Sequence, residues 1–236
     1  MAPDLIRVAE LPSTMDAAHE LARNGARHGT AVVAVRQTLG RGTRGRVWSS
    51  EPGGLWLSVI ARPSRTDALE ALSLRVGLAV AAVLELNCPA LPRLGLKWPN
   101  DLLIDGRKVA GILCDARWGG GHCQWVVIGL GVNVRNPIPT ELLPMAISIG
   151  TWDPTATADG LAAPVAAAVA LAAREAGPLS ASELRRYALR DVLAGARVIE
   201  PVPGTAQGIT AAGALCVRTD TGPTREVLGG VVVLPC

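Results

Sequence analysis

The 236-residue chain carries 23 Lys and Arg against 20 Asp and Glu, a formal net charge of +3, and 49% of its residues are hydrophobic. This length suits one medium domain, or one with a small appendage, and so weak a positive charge is no argument for nucleic-acid binding. The five cysteines (Cys88, Cys114, Cys123, Cys216 and Cys236) are odd in number and lack C-x-x-C spacing, so neither a disulfide framework nor a zinc site follows.

The amino-terminal "MAPDLIRVAE" has neither the basic start nor the apolar run of a signal peptide. "DLIRVA" reads as a first strand, and Ser13 and Asp16 have N-cap and N3 character for a helix over "STMDAAHELARNGA" that ends near Gly25. "TAVVAVR" is a buried strand leading into "QTLGRGTRGRVWSSEPGG", which is too rich in glycine to be helical. "LWLSVIA" is another strand. From Asp67 to Leu86, Leu69, Leu72, Val76, Val80 and Val83 recur at helical spacing. "LGLKW" and "DLLI" read as strands, and Asp105-Gly106 is a tight turn into "RKVAGILCD". "GGG" at 119–121 opens a hairpin towards "WVVIGLGVNV". Helices are expected around 160–175 and 180–193; the window "GLAAPVAAAVALAA" is too short to span a bilayer and contains Pro164. After Gly195, "ARVIEPV", "AQGITAAG", "LCVRTDTG" and "GGVVVLP" read as short strands of a small barrel. The expectation is a soluble, cytoplasmic protein with no membrane partner, divided into a larger unit at 1–194 and a small all-β unit at 195–236.

"GRGTRG" at 40–45 satisfies G-x-G-x-x-G, but a dinucleotide site needs a helix immediately afterwards. "RVWSSEPGG", with Pro52 and two glycines, cannot supply a regular one. A P-loop fails too, because no Gly-Lys-Ser/Thr closes it. What remains is a basic loop whose glycines let backbone N–H groups converge on an anion, with Arg41, Arg44 and Arg46 to chelate phosphate oxygens and Trp48 to stack on the ligand. A solvated hairpin tip is the plainer alternative.

Lys97 and Lys108 are the only lysines beside 21 arginines. The Ala-, Gly-, Pro- and Arg-rich profile looks like GC-rich coding, which would favour Arg wherever either residue serves. An ammonium is a compact charge and a guanidinium a planar fork, so a site squeezed between a carboxylate and a phosphate favours Lys. Lys97, at a strand end before Trp98-Pro99, suits that role. Lys108 follows a hairpin turn, where an exposed basic residue is ordinary. His122 beside Cys123 has no partners at metal spacing, and His19, His28 and His122 all lie away from these motifs.

"GRGTRGR", "KWPNDLLIDGRKVAGIL" and "GLGVNV", in this order, together with "STMDAA" at 13–18 and Gln37, resemble the biotin–protein ligases over nearly the whole chain. The resemblance implies an α+β fold: a mixed sheet with helices of the class II aminoacyl-tRNA synthetase/biotin synthetase type, plus a C-terminal SH3-like β-barrel. It implies a ligase that joins biotin and ATP into biotinyl-5′-AMP and passes biotin to a lysine of a biotin carboxyl carrier protein. Lys97, Arg41, Arg44 and Arg46 would be catalytic. Ser13, Thr14, Gln37, Gly40, Arg41, Lys97 and Gly111 would bind biotin; Arg44, Arg46, Trp48, Asn100, Asn133 and Gly131 would bind ATP. Mg²⁺ would come with ATP rather than on protein ligands. Ser13 has a second reading as a helix cap, Asn100 and Asp101 as a strand-end turn, and Asn133 as a turn-stabilising residue. With the first strand starting near Asp4, a monofunctional type without a DNA-binding module is expected, as is possible homodimerisation through the sheet. The family loop usually reads G-R-G-R-x-G-R, and Thr43 stands at its fourth position; either Arg44, one residue on, reaches in, or biotinyl-AMP is held less tightly, and its measurable release is expected. A lipoate–protein ligase, or a biotin-sensing protein without turnover, is the alternative.

Overall fold

The computed structural model describes residues 4–220 and 222–234. The chain builds a seven-stranded mixed sheet from β1 (Leu5–Leu11), β2 (Ala31–Gln37), β3 (Leu55–Ala61), β4 (Gly95–Lys97), β5 (Asp101–Ile104), β6 (Arg107–Gly119) and β7 (His122–Val132). Their spatial order is β1-β2-β3-β7-β6-β5-β4. Only β1 and β2 run parallel; every other pairing is antiparallel. The two hairpin turns foreseen in the sequence adopt left-handed backbone at Asp105 (φ +48°) and Gly106 (φ +76°), and at Gly120 (φ +59°) and Gly121 (φ +81°), as two-residue turns between twisted strands require.

Period-two side chains give this sheet two covered faces. α1 (Thr14–Arg23) lies on one, where Met15, Ala18 and Ala22 meet Val32, Ile60 and Val127. α2 (Leu72–Asn87) and α3 (Ala158–Ala172) cover the other, with Leu78, Val80, Leu84, Leu161 and Val165 in the main core. β3 is buried along its entire length because both faces are roofed. Its apolar run therefore does not alternate. α4 (Ala181–Ala188) closes the helical set with a capping box between Ser180 and Glu183. The first helix is capped by Ser13 as expected, its hydroxyl accepting from Met15 N–H at 3.3 Å, and Asp16 in the first turn pairs with Arg41.

The C-terminal strands β8 (Arg197–Val198), β9 (Gly204–Ile209), β10 (Leu215–Thr219) and β11 (Thr224–Val227) form an antiparallel sheet ordered β11-β10-β9-β8. One sequence reading fails here. "GGVVVL", the described part of "GGVVVLP", is no strand; its Val233 makes a single bridge to Glu200, whereas polar "TREV" supplies β11. The segment nearest β10 along the chain takes the hairpin position, and a charged, exposed edge strand carries no hydrophobic signal. Val198, Ala206, Leu215 and Val217 join the main core, and buried Trp98 donates its Nε1–H to Gly213 O at 2.9 Å. The two sheets are thus welded next to Lys97. No helix among the described residues is long and apolar enough to cross a membrane. Cys88, Cys114, Cys123 and Cys216 are free thiols, and Cys236 lies outside the described residues.

Candidate active site

On the α1 face, beyond the helix, the sheet turns small. Ser58 of β3 pairs with Gly129 of β7, and Gly131 of β7 pairs with Gly111 of β6, all pointing to this side. Removing side chains from one face leaves a hollow, and a cavity of about 510 Å³ occupies it. Part of it is roofed from within. A Cβ at Gly129 would lie 2.7 Å from Met15 Sδ, and one at Gly131 would lie 2.6 Å from the Trp48 indole. "GLGVNV" thus bares backbone on one side only, and Trp48 rests on the Gly111–Gly131 platform.

A neutral polar network lines one part of the cavity. Gln37 Oε1 accepts from Thr14 N–H (2.8 Å) and from the Thr14 hydroxyl (3.0 Å), and Ser58 Oγ lies 2.8 Å from Thr14 Oγ1. Gln37 Nε2 donates to Ser50 Oγ at 2.9 Å, and Ser50 donates to Trp48 O at 3.0 Å. With both Oε1 contacts filled, Gln37 keeps one N–H to offer a ligand. Ser13 is buried beside this network. Sequence reasoning found Ser13, Thr14 and Gln37; it missed Ser58 and Ser50, which hold the other two in place and lie in no recognisable motif.

The glycine–arginine loop is a short hairpin, with Arg41 bridging Val47 and Gly42 N–H donating to Arg46 O at 2.8 Å. Gly40 forms its neck: a Cβ there would come within 2.3 Å of Trp48 O. Gly40 does not line the cavity, and neither does Arg44, whose left-handed backbone (φ 59°) puts it at the exposed tip. The structure thus places these two residues at the loop's neck and tip, outside the cavity lining. Arg41 and Arg46 do line the cavity. Arg41 is paired with Asp16, and Arg46 is folded onto Thr43, donating to its hydroxyl at 2.9 Å and its carbonyl at 3.3 Å.

Both lysines line the same cavity. Lys97 ends β4 and, among the described residues, forms no ion pair. Lys108 is no loose surface charge: its Nζ lies 2.5 Å from Asp101 Oδ1, off hydrogen-bond alignment, and 4.9 Å from the centre of the Trp48 ring. The signal that would have promoted it was already available, since the chain spends lysine at these two positions alone. Asn100 also lines the cavity, but its Nδ2 donates to Ile112 O at 2.7 Å, a strand-end clamp.

The model of the Biotin/lipoate A/B protein ligase family matches residues 7–133, and that of the Biotin protein ligase C terminal domain matches residues 197–234. The chain belongs to the biotin/lipoate A/B protein ligase family. It is 42% identical over 157 residues to the Bifunctional ligase/repressor BirA of Bacillus subtilis (63% of this chain, 47% of that one). It is 34% identical over 220 residues to the Biotin--[acetyl-CoA-carboxylase] ligase of Mycobacterium tuberculosis (87% of this chain, 79% of that one). In these alignments the chain spans about half the length of the first relative and most of the second. The biotin protein ligase of Aquifex aeolicus, solved in complex with biotin and ATP, superposes with a TM-score of 0.81 at 26% identity, covering 98% of each chain. The fold is therefore the mixed α+β sheet of the biotin protein ligases, with the C-terminal antiparallel sheet in its place.

Within this family fold the far wall of the cavity comes from residues 138–146, a segment sequence reasoning passed over. Lys108 N–H donates to Met145 O at 2.7 Å and Ile147 N–H to Lys108 O at 3.0 Å, so the segment runs alongside the lysine strand. It brings Ile138, Leu142 and Met145 to the lining, next to Asn133 and Asn136. Among the described residues Asp101 is the one carboxylate that lines the cavity, against Arg41, Arg46, Lys97 and Lys108, and no cluster of three metal-ligating side chains exists. This wall suits an anion.

Proposed function

We propose that this chain activates biotin with ATP and transfers it to a lysine of a biotin carboxyl carrier protein. One observation carries the reading: a single cavity is lined both by Thr14 and Gln37, whose neutral donor–acceptor network Ser58 backs, and by four cationic side chains. Biotin has that duality, an uncharged ureido ring and a carboxylate. ATP supplies the polyanion.

In the first step a carboxylate oxygen of biotin attacks the α-phosphorus, and pyrophosphate leaves, giving biotinyl-5′-AMP. Two anions must be brought together, so positioning and preorganised positive charge govern the rate. Lys97 bridges the carboxylate and the α-phosphate; its freedom from ion pairing among the described residues supports this role. Arg41 and Arg46 neutralise phosphate oxygens after exchanging Asp16 and Thr43 for ligand. In this reading Mg²⁺ enters on the nucleotide phosphates, consistent with the cationic wall. Gln37 donates its remaining N–H to the ureido oxygen, and Asn133 reads the adenine. Trp48 and the 138–146 segment flank the base. In the second step the carrier lysine amine attacks the acyl carbon, AMP leaves and the nitrogen loses a proton. No covalent enzyme intermediate is required.

The carrier, we infer, docks along β1. The outer edge of β4 is occupied by residues 190–192, through Leu96 N–H to Arg190 O (2.8 Å) and Val192 N–H to Leu96 O (3.1 Å), which leaves β1, among the described residues, as the open edge. A second copy of the chain could use the same edge. The free thiols and the need for ATP agree with a cytoplasmic setting. The test is ATP–pyrophosphate exchange with biotin or lipoate as acid, followed by carrier labelling. Exchange with biotin and carrier biotinylation are expected; exchange with lipoate alone, or none, would refute the proposal.

A further inference from the structure

Two buried asparagines stand side by side in the cavity wall, Asn133 with 7% and Asn136 with 6% of its surface exposed. A side-chain amide can present either its oxygen or its nitrogen, and what it offers a ligand depends on what turns it. Asn136 has no choice. Its Oδ1 accepts from Val134 N–H at 3.2 Å, and its Nδ2 donates to Pro137 O at 3.3 Å. A backbone N–H can only donate and a carbonyl can only accept, so two backbone groups fix this amide in one orientation. Its Nδ2 then also donates to Asn133 Oδ1 at 3.2 Å. Asn133 must therefore keep its oxygen towards Asn136 and its nitrogen towards the cavity. Its backbone is equally fixed: Asn133 N–H donates to Val109 O at 2.8 Å, and Asn133 O accepts from Ile149 N–H at 2.9 Å. Among the described residues Asn133 Nδ2 makes no hydrogen bond.

We propose that Asn136 is a positioning residue that locks the Asn133 amide with its N–H outward, so that the site selects a purine bearing a ring-nitrogen acceptor at that point. The inference rests on the nucleotide reading of the cavity and adds to it the direction of one hydrogen bond and the residue that sets it. Sequence position gives no hint of the lock, because Asn136 lies outside "GLGVNV".

The experiment measures biotin-dependent ATP–pyrophosphate exchange with ATP and with its 1-deaza, 3-deaza and 7-deaza analogues, each replacing one acceptor nitrogen by C–H. The native protein is expected to lose about ten-fold in kcat/KM with one analogue only, because one buried donor is left unpaired. In Asn136→Asp the carboxylate accepts from Asn133 Nδ2 and draws the donor away. This variant should lose about ten-fold on ATP, keep its KM for biotin, and no longer distinguish ATP from the sensitive analogue. A merely structural asparagine would lower all four rates together and preserve their ratios. Equal use of all analogues by the native protein, or undiminished discrimination in Asn136→Asp, would overturn the lock. Should Asn136→Asp fail to fold, the analogue series on the native protein and on Asn136→Ser decides by the same criterion. Were the native protein to show no exchange at all, the ligase reading would fall. Calorimetric binding of ATP and the three analogues would still test the lock, and equal affinities would refute it.

Discussion

The cations of the cavity and of its hairpin loop are held in two different ways. Lys97 and Lys108 stand on β4 and β6, inside the hydrogen-bonded ladder, with Trp98 anchored to Gly213 and Lys108 bonded to the 138–146 segment through its own backbone. Arg41, Arg44 and Arg46 stand on a hairpin loop and owe their placement to side-chain contacts with Asp16 and Thr43, or, for Arg44, to none among the described residues. Strand register fixes a charge before any ligand arrives, whereas loop charges must exchange one partner for another. The strand-borne pair should therefore govern the chemical step and the loop-borne set the capture of ligand.

The sharpest way to break that contrast is at Lys97. Lys97→Arg should lower turnover in adenylate formation by roughly 100- to 1,000-fold, as for loss of one preorganised transition-state contact, read by pyrophosphate exchange at saturating substrates. Next comes Arg46→Ala, which should raise the KM for ATP about ten-fold and leave turnover closer to native, because a loop charge acts first in binding. Gly131→Ala tests the platform: a Cβ 2.6 Å from the Trp48 indole must push the ring off its seat. Overpacking of this kind costs roughly 1–3 kcal/mol of stability, read by denaturant unfolding, and a shift in Trp fluorescence should accompany it. Arg44→Ala, at the exposed tip, should change kcat/KM by no more than about two-fold, in line with exposed charges generally. A larger loss would show that the tip folds onto the ligand and would erase the distinction within the loop.

The smallest expected effect lies beneath α1. Buried His19 accepts from Trp125 Nε1–H at Nδ1 (3.0 Å), so its proton sits on Nε2, 3.1 Å from Asp115 Oδ2. Burial pushes its pKa below the ordinary 6.5, outweighing the pull of Asp115. The unfolded chain then binds the proton more readily. Stability is full above pH 6.5 and falls as the pH drops from there through the folded-state value. Thermal melts should show this slope between neutral and mildly acidic pH, and a shallower one in His19→Gln. Identical slopes would mean that folding leaves the His19 pKa unshifted.

Much of this could be read before any fold was known, and the exceptions share a cause. β3 and both tight turns follow from apolar runs and Asp-Gly or Gly-Gly pairs, which act over a few residues. Lys97, Thr14, Gln37 and Asn133 fall in segments that resemble a known family. Ser58, Asn136 and the 138–146 segment were invisible because their roles come from what the sheet brings beside them, 44 residues away in the case of Ser58 and Thr14. The tail misled for the same reason: "GGVVVLP" looks like a strand, yet β10 had already found its partner in "TREV".

The central claim is that a strand-anchored ammonium at position 97 joins an acid to a nucleotide, and the native protein and Lys97→Arg compared in carrier biotinylation with biotin, ATP and Mg²⁺ test it most directly. The account predicts labelled carrier with the native protein and nearly none with the variant at equal folded concentration. Equal labelling by both would show that the guanidinium serves as well, and that this lysine is not retained for its chemistry.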